Sequence, residues 1–263
     1  MAPVDVRSLG YRTDLALLQL DGSVVEDRGT HLVVRTPANP SFHWGNFLLL
    51  ATPPQPGSGR FWLERFEQEF PGLQHRALGV DGTTGSTDDL AALAEVGLEA
   101  DASSVMTATS VHAPPHPHPT AVVRPLVSDD DWAQQVALAV AGEPEHYSEE
   151  FATSRAAAHR RNVETGHGQW FGAFLDGRLS SSLGIFTAGE GLARFQEVKT
   201  HPEARGQGLA GTLVHAASRH ALDEMGARTL VMVADPGYLA IRVYRSVGFA
   251  DTETQLGADR ARA

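Results

Sequence analysis

Residues 192–226 read LARFQEVKTHPEARGQGLAGTLVHAASRHALDEMG. Phe195 to Thr200 has the composition of a strand, and His201-Pro202-Glu203-Ala204 is a polar loop. Arg205 to Gly211 is a glycine-rich turn. Leu209, Leu213 and Ala217 then recur at helical spacing, and Gly226 stops the helix. Glycines at the mouth of a helix let the backbone come close to an anion. The first free N–H groups and the helix dipole then hold that anion.

Two ligand classes fit those letters. Gly206-x-Gly208-x-x-Gly211 matches the dinucleotide fingerprint, with Asp235 following a second strand. In that fold the first glycine ends the strand, whereas here a proline-containing loop intervenes, and too little chain follows Asp235 to complete a parallel sheet. Arg205-x-x-Gly208-x-Ala210, after a strand and before a long helix, resembles the acyl-CoA pyrophosphate loop of the GNAT superfamily of N-acyltransferases. A second stretch, Ala240-Ile241-Arg242-Val243-Tyr244-Arg245-Ser246-Val247-Gly248-Phe249, is similar to that family's closing helix and Gly-Phe turn. One departure stands out: Gly237 occupies the place where an asparagine is often found.

The resemblance covers somewhat over half the chain. It implies an α/β (α+β) fold, a mixed and mostly antiparallel sheet flanked by helices, with two such domains in tandem. The N-terminal copy, residues 1–111, would be degenerate. Residues 112–119 would be a linker, and 120–263 the catalytic domain.

Composition sets outer bounds. The 263 residues, 42% hydrophobic and 20% charged, suit one large or two ordinary globular domains. No apolar run is long enough to span a membrane, and no basic-then-apolar leader opens the sequence. The absence of cysteine rules out disulfides and a thiol nucleophile, and agrees with a cytoplasmic setting. A formal charge of −11 argues against nucleic acid and suits an amine-bearing partner.

Along the first half, Leu15–Leu20, His31–Arg35, Phe47–Ala51 and Val105–Val111 read as strands. Arg60–Phe70 reads as a helix with Trp62, Phe66 and Phe70 on one core-facing stripe. Ser86 and Asp89 are spaced as a capping box for a helix through Val96. Phe42 to Asn46 reads as a structural turn or, less simply, as an acceptor wall. No glycine loop opening a helix after a strand is expected in residues 1–110. His112, His116 and His118 alternate with prolines in an exposed, semi-rigid segment, and no metal site is expected there.

In the second half, Ala121–Pro125 reads as a strand. Ser128 and Asp131 box a helix buried through Trp132, Val136 and Val140. Ser148 starts a second helix reaching about Asn162. Glu143, Glu145, His146, Tyr147, Glu149 and Glu150 form an acidic rim, read either as an acceptor site or as a solvated face. Strands at Gln169–Leu175 and Leu179–Thr187 join at Asp176-Gly177.

Acyl transfer from a thioester to an amine needs a neutral amine, a stabilised oxyanion and a proton for the departing thiolate. The resemblance gives oxyanion and pantetheine contacts to Val198, Lys199 and Thr200. It gives the pyrophosphate to Gly206, Gln207, Gly208, Leu209, Ala210 and Gly211, with Arg205 adding charge. Tyr244 takes the place of the general acid and Glu197 that of a base. The cosubstrate would be acetyl-CoA and the acceptor a primary amine of a small molecule or peptide. The alternative is a non-catalytic CoA-binding or sensing module.

Overall fold

A computed structural model describes residues 5–40, 42–142 and 148–261. The chain divides into two units. The first comprises Met1–Met106, Val233–Pro236 and Asp251–Ala263, the second Thr107–Met232 and Gly237–Ala250. The Pro/His segment thus belongs to the second unit, and the chain's end to the first, where the sequence suggested a boundary at 112–119 and a C-terminal domain running to 263.

In the first unit Ser8 caps α1 (Leu9–Leu20), its hydroxyl accepting the Tyr11 N–H at 3.4 Å. Tyr11, Leu15 and Leu18 recur at i, i+4 and i+7 and are buried. This corrects the strand expected over Leu15–Leu20. A six-residue run with only Gln19 polar fits a buried helix segment as well as a strand, and the upstream cap decides. Next come β1 (Val24–Asp27), β2 (His31–Arg35), β3 (Phe47–Leu50), α2 (Gly59–Glu69) and β4 (His75–Val80). A 3-10 turn, Thr87–Leu90, carries the Ser86/Asp89 capping box and leads into the short α3 (Ala91–Ala94). β5 (Glu99–Ala108) starts earlier than expected and ends before Val111.

The sheet of this unit is covered on both faces, which explains the unbroken apolar run of β3. Phe47 and Leu49 pack with Tyr11 and Leu15 of α1. Leu48 and Leu50 pack with Phe66 and Phe70, the expected stripe. The Phe42–Asn46 stretch is a structural turn: Asn46 accepts the Thr36 N–H and donates to the Asn39 and Phe42 carbonyls.

The second unit begins with β6 (Val122–Pro125) and α4 (Asp129–Gly142). Ser128 and Asp131 exchange both capping bonds at 3.1 Å, as the spacing predicts. The buried face of α4 is Trp132, Gln135, Leu138 and Ala139, while Val136 and Val140 are only half-buried. α5 (Glu149–Glu164) is capped by Ser148. β7 (Gly168–Leu175) and β8 (Arg178–Thr187) form a hairpin through Asp176 and Gly177, both at positive φ as a type I′ turn requires. β9 (Leu192–Thr200), α6 (Leu209–Asp223), β10 (Thr229–Ala234) and α7 (Ala240–Arg245) follow. The last strand, β11 (Ala250–Ala261), joins the first unit's sheet, antiparallel to β4.

The two units repeat one topology. β1–β2 and β2–β3 pair antiparallel, and β3–β4 pair parallel across α2. β7–β8 and β8–β9 likewise pair antiparallel, and β9–β10 parallel across α6.

Candidate functional site

The parallel ladder between β9 and β10 is short. It runs from Leu192↔Thr229 to Arg194↔Val231 and stops there. Beyond Arg194, β9 keeps its β8 partners only, so one edge of the strand is left open toward Thr200.

On that edge β9 also bulges. Gln196 pairs with Gly184 and Lys199 with Ser182, so Glu197 and Val198 together oppose Leu183. Glu197 sits at φ 47, a left-handed backbone rarely held by a side-chain-bearing residue outside strained sites. The bulge breaks the strict alternation expected for Glu197 and Val198. It sends the Glu197 carboxylate toward α5, where Oε1 accepts from Arg155 Nη2 at 2.5 Å and Nε at 3.2 Å. His159 Nε2 stands 3.8 Å from the same oxygen.

Arg155 and His159 are one helical turn apart on α5, and the sequence reading had not singled them out. Arg155, His159 and Lys199 outweigh the burial penalty on Glu197 and hold its pKa down to about 2. Burial holds His159 down to about 4. Its ring stacks on Trp170 at 4.3 Å. His159 Nδ1, Trp170 Nε1 and Gln135 Oε1 are buried without a hydrogen-bond partner among the described residues.

The depressed Glu197 pKa stabilises the folded state fully above its ordinary 4.5, and this contribution is lost as pH falls toward 2. Arg155→Met strands the buried carboxylate, and urea unfolding at pH 7 should register a loss of about 3–5 kcal/mol. Unchanged stability would show that the pair contributes nothing to the fold.

The glycine turn follows at the end of β9. Gly206 and Gly208 lie at φ 75 and 84, the conformation that only glycine adopts freely. Gly208 is the N-cap of α6, and the first amide of this helix to find an acceptor is that of Thr212, bonded to the Gly208 carbonyl at 3.1 Å. The amides of Gly206, Gln207, Gly208, Leu209, Ala210 and Gly211 have no acceptor among the described residues. Arg205 braces this turn, its Nε donating to the Thr200 carbonyl at 3.2 Å and Nη2 to the Gly142 carbonyl at 3.3 Å. Lys199 is buried and Thr200 half-buried, tied to β8 by Ser181 Oγ.

Tyr244 is buried on α7, and burial pushes its phenol up to about 12. α7 packs on α6, and Val243 lies against Gly211 in the first turn of α6. Phe249 packs edge-on against Phe195 of β9 at 5.7 Å. The open strand edge, the amide turn and the Tyr244 helix are therefore gathered within one unit. Glu149 and Glu150 are exposed in the first turn of α5, while Glu143, Glu145, His146 and Tyr147 lie outside the described residues.

The first unit holds a weaker echo. Gly57, Ser58 and Gly59 do open α2 after β3, contrary to the expectation for residues 1–110. The strands there do not part, however. Pairing continues through Leu50↔Val80 and on to the Asp81 N–H, which donates to the Leu50 carbonyl at 2.8 Å. Arg7 covers the carbonyls of Ala51 and Asp81.

Residues 132–249 match the model of the acetyltransferase (GNAT) family, and this part of the chain is a GNAT domain. A GCN5-related N-acetyltransferase from Kribbella flavida is 18% identical, with a TM-score of 0.65 over 96% of each chain. A functionally unknown conserved protein from Staphylococcus epidermidis is 12% identical, with a TM-score of 0.64 over 92% of this chain and 94% of its own. A tandem GNAT protein from the clavulanic acid biosynthesis pathway is 17% identical, with a TM-score of 0.54 over 100% of this chain and 97% of its own. At these identities the likeness is one of fold, and that fold is the mixed, mostly antiparallel sheet of tandem GNAT proteins. A search of curated proteins found no match. Among the described residues no helix is long and apolar enough to cross a membrane.

Proposed function

We propose that this chain is a cytoplasmic N-acetyltransferase that passes an acetyl group from acetyl-CoA to a primary amine of a small molecule or peptide. The amine attacks directly, with both substrates bound to the second unit. The observation that carries this reading is the run of six unpartnered amides, Gly206 to Gly211, at the start of α6 beside an open strand edge. Such a turn presents donors and a positive helix end to a pyrophosphate. The open edge of β9 at Val198, Lys199 and Thr200 offers backbone groups to the pantetheine arm and to the oxyanion. Arg205 adds positive charge beside the turn.

Tyr244 then serves the leaving thiolate. Glu197 enters with a restricted part. Held near 2, it is too weak a base to strip a free ammonium at neutral pH, so the acceptor must arrive as neutral amine. The carboxylate stabilises the positive charge that develops on nitrogen, and water carries the proton away. Amine-dependent release of CoA thiol from acetyl-CoA tests this reading. A second reading, a non-catalytic CoA-binding or sensing module, is favoured by Gly237 and by the commitment of Glu197 to Arg155.

In this reading the first unit is a degenerate GNAT-like domain whose strands stay zipped where a pantetheine arm would enter. Calorimetric titration with CoA should therefore give one ligand per chain. A stoichiometry near two would restore a second working site at α2.

A further inference from the structure

The Pro/His segment is exposed along most of its length, as its sequence predicts, and through Pro114, His116 and His118 it also packs along the second unit's glycine turn. The His116 carbonyl sits against Gly208 so closely that a Cβ there would collide with it. Pro114 is buried against Gly211, 3.1 Å from where a Cβ would lie. The His118 N–H donates to Thr212 Oγ1 at 2.8 Å, and that hydroxyl also bonds the Gly208 carbonyl at 3.0 Å. His118 Nδ1 in turn accepts the amides of Thr120 at 3.3 Å and Ala121 at 3.1 Å, which fixes the end of the segment. At its other end the His112 N–H donates to the Val247 carbonyl at 3.0 Å, just after α7, and Gly248 at φ 117 lies against Ser110 and Val111.

One short segment, stiffened by Pro114, Pro115 and Pro117, thus touches the first turn of α6 and the turn that ends α7. These are the two places that carry the phosphate-binding amides and Tyr244. We propose that residues 112–118 are a brace for the acyl-CoA site, holding the glycine turn in its anion-binding form and fixing its spacing from the Tyr244 helix. The inference rests on the acyl-CoA reading given above. Glycine at 208 is then required twice, once for its backbone conformation and once to admit the His116 carbonyl. The linker residues act through the turn and are positioning residues.

Thr212→Val keeps the shape of the side chain but removes the acceptor for the His118 N–H. In the full-length chain it should raise the Kd for CoA about five- to tenfold, the combined effect of losing the bond from His118 and the bond that the same hydroxyl donates to the Gly208 carbonyl. Thr212→Ser restores the hydroxyl and should return the affinity to near the wild-type value. Binding is reciprocal, so CoA must tighten a brace that helps it bind. Amide exchange at His112 and His118 in the wild-type chain should therefore slow on addition of CoA, a readout that needs no variant to fold. Wild-type affinity in Thr212→Val, or linker amides that exchange equally fast with and without CoA, would overturn the brace while leaving the acyl-CoA site intact. A wild-type chain that fails to bind CoA at all would instead remove the reading on which the brace depends.

Discussion

Replacing Tyr244 by phenylalanine should lower kcat roughly 10- to 1000-fold and leave the KM for acetyl-CoA nearly unchanged. The substitution keeps the ring that fills its site on α7 and removes only the hydroxyl. At about 12 the phenol remains protonated throughout the neutral range. A thiolate leaving with a pKa of about 8.5 is the weaker base of the two, so the hydroxyl acts chiefly as a hydrogen-bond donor to charge developing on sulfur. Such a donor matters in the transition state more than in the ground state, hence the effect on kcat. Wild-type kcat at saturating amine, with an unaltered melting temperature, would show that the hydroxyl does no chemistry.

Gly206→Asp should abolish the thermal stabilisation that CoA gives the wild-type chain. Gly206 at φ 75 has nothing within 4 Å of where a Cβ would lie, so the new side chain has room. Aspartate tolerates this backbone better than most residues, at a cost of about 1–2 kcal/mol. The fold should therefore persist, while a carboxylate stands where the pyrophosphate would lie. Gly208→Asp serves less well because it also drives a Cβ into the His116 carbonyl. For the wild type, CoA at 100 times its Kd should add about 2.7 kcal/mol. A variant that gains as much from CoA as the wild type would show that the anion binds elsewhere.

What the sequence made legible was local chemistry. Gly206, Gly208 and the apolar period of α6 announce a turn and a helix because both follow from backbone freedom and 3.6-residue spacing. The Ser128/Asp131 box and the Asp176-Gly177 hairpin are local in the same sense. The β9 bulge was hidden, since an extra residue in a ladder depends on how β8 registers against it, and alternation is blind to that. The Arg155–Glu197 pair was hidden for a related reason: it spans 42 residues, though Arg155 and His159 at i, i+4 on one helix were a signal that could have been read. α1 was misread because Leu15–Leu20 was taken without its cap at Ser8. The linker's prolines do not reveal its place, because a backbone carbonyl against a glycine leaves no mark in composition.

The central claim is acetyl transfer to an amine at the β9–α6–α7 site. Its most direct test is the release of free thiol from acetyl-CoA by the full-length chain, with and without each of a panel of primary amines. The account predicts release that depends on an amine, an acetylated amine of matching amount by mass spectrometry, and loss of both in Gly206→Asp. CoA binding without release for any amine would contradict it and leave a binding module in its place.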